Sequence, residues 1–463
     1  TQSNGWDNRR ISNSYKTGMD YFINKNHTIG FLVNGYSNFN EQASNSSTIR
    51  RNNLNESENI QIVGRNKETY RNNAFNLNYK GVLDTMGKEL SIDLDYSDYH
   101  GKMDELRDNY YTLSAGTKNP LFVKNYAPSK IGVKSIKLDY TNPFNKTTKL
   151  EAGIKLSRVE TNNDLLLARL DGGSWVPDTE YSNLFLYDEN INAGYLNFSK
   201  EFKQFGLQLG LRAEHTNSTG NSVTNNEVVE RDYLEFFPSV SLSKQINKNH
   251  QLGLSYSRRI DRPGYDDLNP FMQFLDEYTF SKGNPYLNPQ FTNSFDLSHT
   301  FKGSFTTSLN YSHTKDVMTP VTEQDDATMR TFAIQRNLDE QQIIGLNIYA
   351  PIPVAKWWNI NNNPQVFHMQ FKSRATGEDL NSGQTAVTYN MEHTFIISKT
   401  FTAEFSTQYQ SPLQYGIFQI KSQLVNNIGL KKSFMDKKMS LRLALNDIFD
   451  TRRSRLSTTY QNM

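Results

Sequence analysis

From Phe205 to Glu214 the chain alternates. Phe205, Leu207, Leu209, Leu211 and Ala213 fall on one side, and Gln208, Arg212 and Glu214 on the other. The same beat recurs in Leu90–Tyr96, Leu150–Leu156, Leu252–Ser257 and Leu441–Asn446. A strand points successive side chains to opposite faces, so these segments predict strands with one apolar and one polar face. Helical periodicity is nearly absent: hardly any window longer than about ten residues repeats every 3.6.

Short polar connections at Asn24-Lys25-Asn26, Pro143-Phe144-Asn145-Lys146 and Asn247-Lys248-Asn249 predict tight hairpins. Between them lie longer polar excursions: Gln42 to Lys67, Leu165 to Asn183, Asn217 to Glu230, Asp261 to Phe291, and Asp316 to Arg330. Short turns at one rim and long loops at the other are the order of an up-and-down barrel. Asp232–Gln245 reads as one extended strand, and Thr292–Lys315 as a hairpin turning at Lys302-Gly303-Ser304. The pattern yields about eighteen to twenty strands, where crossing a membrane needs only roughly 9–11 residues of each. Trp357-Trp358 and Tyr110-Tyr111 stand near strand ends, where amphipathic rings suit a lipid headgroup zone.

Composition separates a membrane barrel from a soluble sheet. Only 36% of the 463 residues are hydrophobic, yet there are 28 Phe, 25 Tyr and 4 Trp, too many rings for a disordered chain. A large soluble β-domain must fill a core with Leu, Ile and Val, whereas a wide barrel fills its lumen with polar groups and water. The expected fold is therefore all-β, a large antiparallel transmembrane β-barrel. No stretch approaches about eighteen consecutive apolar residues, so no membrane-spanning helix is expected. Lys and Arg number 50 against 48 Asp and Glu, which gives no basic excess for a nucleic acid. The absence of cysteine excludes disulfides and thiolate chemistry.

Catalytic signatures such as HExxH, GxSxG and the phosphate-binding loops do not occur. His27, His100, His215, His250, His299, His313, His368 and His393 are dispersed, and strand neighbours such as Glu214 and His215 should face opposite ways. No enzyme, cofactor or metal site is expected. The enzymatic alternative is a hydrolase with Ser, His and acid at one height on the wall. Asp266-Asp267 and Asp325-Asp326 read as solvated loop carboxylates without calcium-loop spacing. Trp175 is a loop tryptophan that could stack on a ligand or rest on its neighbours.

The sharpest motif runs from Tyr256 to Asn293. It holds Arg258-Arg259-Ile260-Asp261-Arg262-Pro263-Gly264-Tyr265, then Gly283-Asn284-Pro285-Tyr286-Leu287-Asn288-Pro289-Gln290. Far downstream stands Asn446-Asp447-Ile448-Phe449-Asp450-Thr451. In this order the segments resemble the TonB-dependent outer-membrane receptors of Bacteroidetes-type bacteria, over essentially the whole chain. The resemblance implies a complete barrel of about 22 strands in the bacterial outer membrane, taking up a scarce metal chelate, vitamin, glycan or peptide. It implies as partners outer-membrane lipid and lipopolysaccharide, a plug domain of the same polypeptide, a TonB-type energy transducer and a surface lipoprotein.

On that resemblance residues 1–463 are the barrel domain, without its N-terminal plug and closing strand. A passive porin or a structural barrel of a surface or secretion assembly is the alternative. Arg258, Arg259, Arg262, Tyr265 and Trp175 are the candidates for substrate contact, with rim architecture as the alternative, in which the arginines satisfy lumenal carboxylates or anchor an internal domain. Pro263, Gly283, Asn284, Pro285, Pro289, Asn446, Asp447 and Phe449 are structural: the prolines set rigid corners, Pro263 keeps Arg262 extended, and Gly283 is expected to supply a dihedral other residues resist.

Overall fold

The computed structural model describes residues 2–51, 57–113, 116–274, 279–325, 330–373, 380–415, 418–453 and 455–458. The expected excursions over 42–67, 261–291 and 316–330, and the Asp325-Asp326 pair, fall partly outside them.

In chain order the strands begin with β1 (Gln2–Phe22), β2 (His27–Arg51), β3 (Ser57–Val82), β4 (Glu89–Leu113), β5 (Gly116–Asn145) and β6 (Thr148–Asp171). The short β7 (Ser174–Pro177) precedes β8 (Asn183–Glu201), β9 (Phe205–Ser222), β10 (Glu227–Asn247) and β11 (His250–Asp261). One helical turn, α1 (Tyr265–Leu268), and two short strands, β12 (Met272–Phe274) and β13 (Thr279–Lys282), follow. Then come β14 (Gln290–Phe301), β15 (Phe305–Asp325), β16 (Arg330–Ala355), β17 (Trp358–Ser373), β18 (Leu380–Ser398) and β19 (Phe401–Gln410). The last are β20 (Leu413–Tyr415), β21 (Phe418–Ile420), β22 (Gln423–Phe434), β23 (Met439–Leu445) and β24 (Leu456–Thr458).

The main sheet has 21 strands, of which β7, β12 and β13 are short additions, leaving eighteen in the wall. Each wall strand pairs antiparallel with the next, β6 to β8, β11 to β14 and β19 to β22 included. Among the described residues β1 pairs only with β2, and β23 only with β22. Nearly every interior backbone group is thus bonded across strands, the condition for lying in hydrocarbon.

The two faces of the wall differ as the alternation predicts. Leu242, Leu254, Leu297, Leu309, Leu346, Val366 and Val387 are register partners in one unbroken row over seven strands. Beside it run Val240, Tyr256, Phe295, Tyr311 and Ile344, with Tyr256 and Phe295 centroids 4.8 Å apart. Leu254, Leu297, Leu309, Leu346, Val366, Phe295, Tyr311 and Ile344 stand exposed on the outside and the other four are half-buried beside them, a belt that only lipid can cover. Burying each large one is worth about 1.5–3 kcal/mol. The intervening positions face the lumen and are small and polar: Ser239, Ser257, Ser294 and Ser312 form one row, and Ser241, Ser255, Asp296 and Asn310 the next. The protein is a transmembrane β-barrel.

All eight histidines lie on the outward register. His27, His250, His299 and His393 stand toward the short-turn rim, among rings: His27 meets the Tyr79 hydroxyl at 2.7 Å, His250 meets His299 at 2.9 Å, and Trp358 Nε1 donates to His393 at 3.1 Å. His100, His215 and His313 lie beyond the belt toward the other rim, and His368 pairs with Ile344 of the belt itself. The first three face carboxylates: Asp98 at 2.7 Å, Asp232 at 3.0 Å and Glu340 at 2.9 Å.

Short turns close the rim as expected. At Lys302-Gly303 both residues take positive φ, 50° and 68°, which matches the twist of a tight hairpin. The other rim corrects the sequence reading. Gln42–Arg51 and Ser57–Lys67 are strand, not loop, and so is most of 217–230. Strands β2 to β6 run 24 to 30 residues, far past the bilayer. Beyond the lipid both faces can be polar, so the apolar alternation that marks a strand fades. Trp357 and Trp358 sit at the short-turn rim, stacked with centroids 6.0 Å apart. Tyr110 and Tyr111 instead lie near the top of β4, where Tyr111 is buried against Ile60 and Ile62.

Candidate functional site

After β11 the chain leaves the wall and returns only at β14, and this excursion folds across the outer mouth. Where it leaves, the β10–β11 ladder stops at the Ser239–Ser257 pair, because Pro238 has no N–H to extend it. Arg258 takes over: its guanidinium donates to Phe236 O at 2.6 Å and Glu235 Oε2 at 2.7 Å, and lies over the Phe237 and Phe291 rings. Arg259 shares the lumen register with Ser255 and Ser257. Among the described residues no hydrogen bond or ion pair holds it.

Arg262 reaches down to β9, donating to Glu214 Oε2 at 2.7 Å and Thr216 Oγ1 at 2.9 Å. Glu214 also accepts from Arg212 Nε at 2.5 Å, so one carboxylate binds two guanidinium groups. Pro263 follows, and Tyr265 opens α1, where its hydroxyl faces Glu189 Oε2 at 3.4 Å. Burial, reinforced by the Glu189 charge, pushes this phenol up to about 12, so it stays a protonated donor at any physiological pH.

The returning segment is pinned on three sides. Arg231 of β10 donates to the carbonyls of Pro285 and Leu287. Asn284 Nδ2 donates to Gln335 O of β16 at 3.1 Å, and its Oδ1 accepts the Tyr286 N–H at 3.0 Å. Asn288 and Asn337 exchange two bonds of 2.9 Å, and Gln290 Oε1 accepts the Met318 N–H at 3.0 Å. Leu268 and Leu287 pack on Phe185 and Tyr187 of β8. Pro285 and Pro289 are buried corners. On the other side β13 pairs parallel with β16, and Phe280 packs on Val123, Leu167 and Tyr181.

Gly283 is needed for space, not for the unusual dihedral expected of it: it is not among the positive-φ residues. A Cβ there would lie 2.1 Å from Asn269 O and 2.8 Å from Asp267 O, both backbone atoms. Gly283→Ala is therefore expected to push the loop off its seat at about 1–3 kcal/mol, the usual cost of overpacking. Limited proteolysis should then cut within 262–289 while the wall stays protected. An unchanged digest would mean that the two backbones can move apart freely.

Between this loop and strands β3 to β6 lies a cavity of about 480 Å³. Glu68 and Tyr70 line it from the wall, Asp266, Asp267 and Lys282 from the loop, and Gln335 from β16.

Trp175 is not part of this assembly. It pairs with Leu170 across the β6–β7 hairpin on the outside of the tall wall, 43% exposed. Asn446, Asp447 and Phe449 form a separate turn after β23. Asp447 takes φ 52°, and its carboxylate accepts the backbone N–H groups of Thr451 and Arg452 at 3.0 and 2.9 Å. Its own N–H donates to Asn427 Oδ1 at 3.0 Å, which ties the turn to β22, while Phe449 is exposed. The partners absent from the sequence reading are Glu189, Arg231, Glu235 and Asn337. Only Arg212 and Glu214 carried a signal, as charges repeating on the polar face of β9.

The model of the outer membrane protein beta-barrel family matches residues 81–463. No curated protein sequence matches the chain. Among solved structures the unliganded ferric citrate transporter FecA is similar at TM-score 0.58 and 11% identity, over 97% of this chain and 73% of its own. The siderophore receptor PiuA from Acinetobacter baumannii gives 0.57 and 11%, over 96% and 77%. The ferric-catecholate import receptor Fiu from E. coli K12 gives 0.56 and 10%, over 97% and 78%. At such identities the likeness is one of fold. With the family model covering most of the sequence, and lipid-belt and lumen faces to match, the chain belongs to the outer membrane protein beta-barrel family and resides in the bacterial outer membrane.

Proposed function

We propose that this barrel is the wall of a TonB-dependent receptor, of the Bacteroidetes type by its Arg258–Gln290 and Asn446–Thr451 motifs, that imports a scarce nutrient. The observation that carries the reading is the loop anchored across the outer mouth from β8 and β10 to β16. A mouth crossed by a pinned loop suits capture of a ligand better than free diffusion. The solved transporters and receptors of like fold support it. On this reading a plug in the same polypeptide gates the lumen, further strands complete the wall beside β1 and β23, and an inner-membrane transducer supplies energy. Lipopolysaccharide surrounds the belt, and a surface lipoprotein is a fitting partner for the tall outer wall.

The test is deletion of the gene in its own host, with growth scored on limiting ferric chelate, cobalamin, glycan or peptide. One medium should show a defect that the intact gene repairs, and uptake there should stop when a protonophore collapses the proton gradient. Uptake that survives the protonophore would favour a passive porin, and no defect in any medium would remove the import reading.

A further inference from the structure

We propose that the cavity in the outer mouth receives a cationic, hydrogen-bond-donating group, such as the ammonium and guanidinium groups of a basic peptide, and disfavours an anionic metal chelate. This rests on the import reading only for regarding the occupant as cargo. At about 480 Å³ the space is that of a small-ligand site. Its charged lining is Glu68, Asp164, Asp266 and Asp267 against Lys102 and Lys282, so acids outnumber bases.

Glu68 enters from β3 with its carboxylate held by Asn66 Nδ2 at 2.7 Å and Asn40 Nδ2 at 3.3 Å. That contact fixes both amides, since a flip would set oxygen against carboxylate. On the cavity's third side Gln335 Oε1 is buried with no donor; the Asn40 and Asn66 carbonyl oxygens are buried too, behind Glu68 and outside the lining. Asp266 comes from the opposite wall and has no hydrogen bond or ion pair among the described residues. Tyr70 lies between the two acids: its phenol is raised first by burial and then by the charges of Glu68 and Asp266. Asp267 is partly satisfied by the Gly264 N–H at 3.2 Å.

Two ammonium groups share the lining, and each lies over an aromatic ring. Lys282 sits over the Phe332 ring at 4.7 Å, and Lys102 over Tyr126 at 5.0 Å. Of the motif's three arginines, Arg258 and Arg262 are bound to Glu235 and Glu214, and Arg259 does not line the cavity. A polyanionic chelate entering here would meet more carboxylates than ammonium groups, whereas a cation with several N–H donors would satisfy the carboxylates and the Gln335 oxygen together.

The experiment is isothermal titration of the full-length protein in detergent with an Arg-Lys-Arg-Lys peptide, an Ala-Glu peptide of equal length, and ferric citrate. The basic peptide should bind, weaken with added salt, and lose at least about tenfold in affinity in Glu68→Gln and in Asp266→Asn. Heat-modifiable migration of both variants checks that the barrel is folded. Binding of ferric citrate without the basic peptide, or peptide binding unmoved by both substitutions, overturns the proposal. Uptake in energised cells separates the two readings. Peptide binding lost in the variants but with no energised uptake keeps the cavity's chemistry and removes the receptor. Energised uptake of an anionic chelate without peptide binding does the reverse.

Discussion

Leu297→Arg is expected to keep most of the protein out of the outer membrane, whereas Ser298→Arg, one residue away, is expected to insert and fold. Leu297 is 49% exposed in the middle of the outward row, paired with Leu254 and Leu309. An arginine at the bilayer midplane on the lipid face of a barrel costs about 2–4 kcal/mol. The cost arises because a guanidinium there meets no water and no partner. Ser298 faces the lumen between Gly253 and Ser308, where small neighbours leave room and water is at hand. Outer-membrane fractionation with heat-modifiable migration separates the outcomes. Equal behaviour of the two variants would mean that the faces have been assigned wrongly.

The second large effect is expected at Glu214. Its side chain is 10% exposed and that of Arg262 is 22% exposed, so the pair is well shielded from water. Glu214→Ala leaves Arg212 and Arg262 side by side without their shared carboxylate. Breaking such a pair from one side costs about 3–5 kcal/mol, mostly because a charge is stranded in poor solvent. The loop should come free of β9, seen as proteolysis within 262–289 and a lower urea midpoint. Glu214→Leu combined with Arg262→Met should recover much of the loss, since no stranded charge remains at the loop. If the double variant were no better than Glu214→Ala, a charge stranded on Arg262 could not be the cause.

What the sequence displayed was the part of the wall that lipid touches. There each outward position must be apolar and each inward one polar, so the period of two is forced, as in Phe205–Glu214 and Leu252–Ser257. The same rule explains its failure above the membrane, where Gln42–Arg51 pairs residue for residue with Ser57–Asn66 although both read as loop. Hairpin turns were visible because turn geometry is local. The anchors of the mouth were not: Arg231 meets Leu287, and Asn337 meets Asn288, about fifty positions away. Gly283 stood out by its motif, but the reason for it, a backbone passing at contact distance, exists only in three dimensions. The cavity is a further step removed, since β3 and α1 are brought together only by closing the loop.

The placement of the histidines has a consequence for transport. Imidazole is the one side chain whose ordinary titration falls between pH 5 and 8. With all eight on the outside, the described lining of the conduit carries no group of that kind. A histidine-directed reagent confined to the lumen would therefore find no target among the described residues.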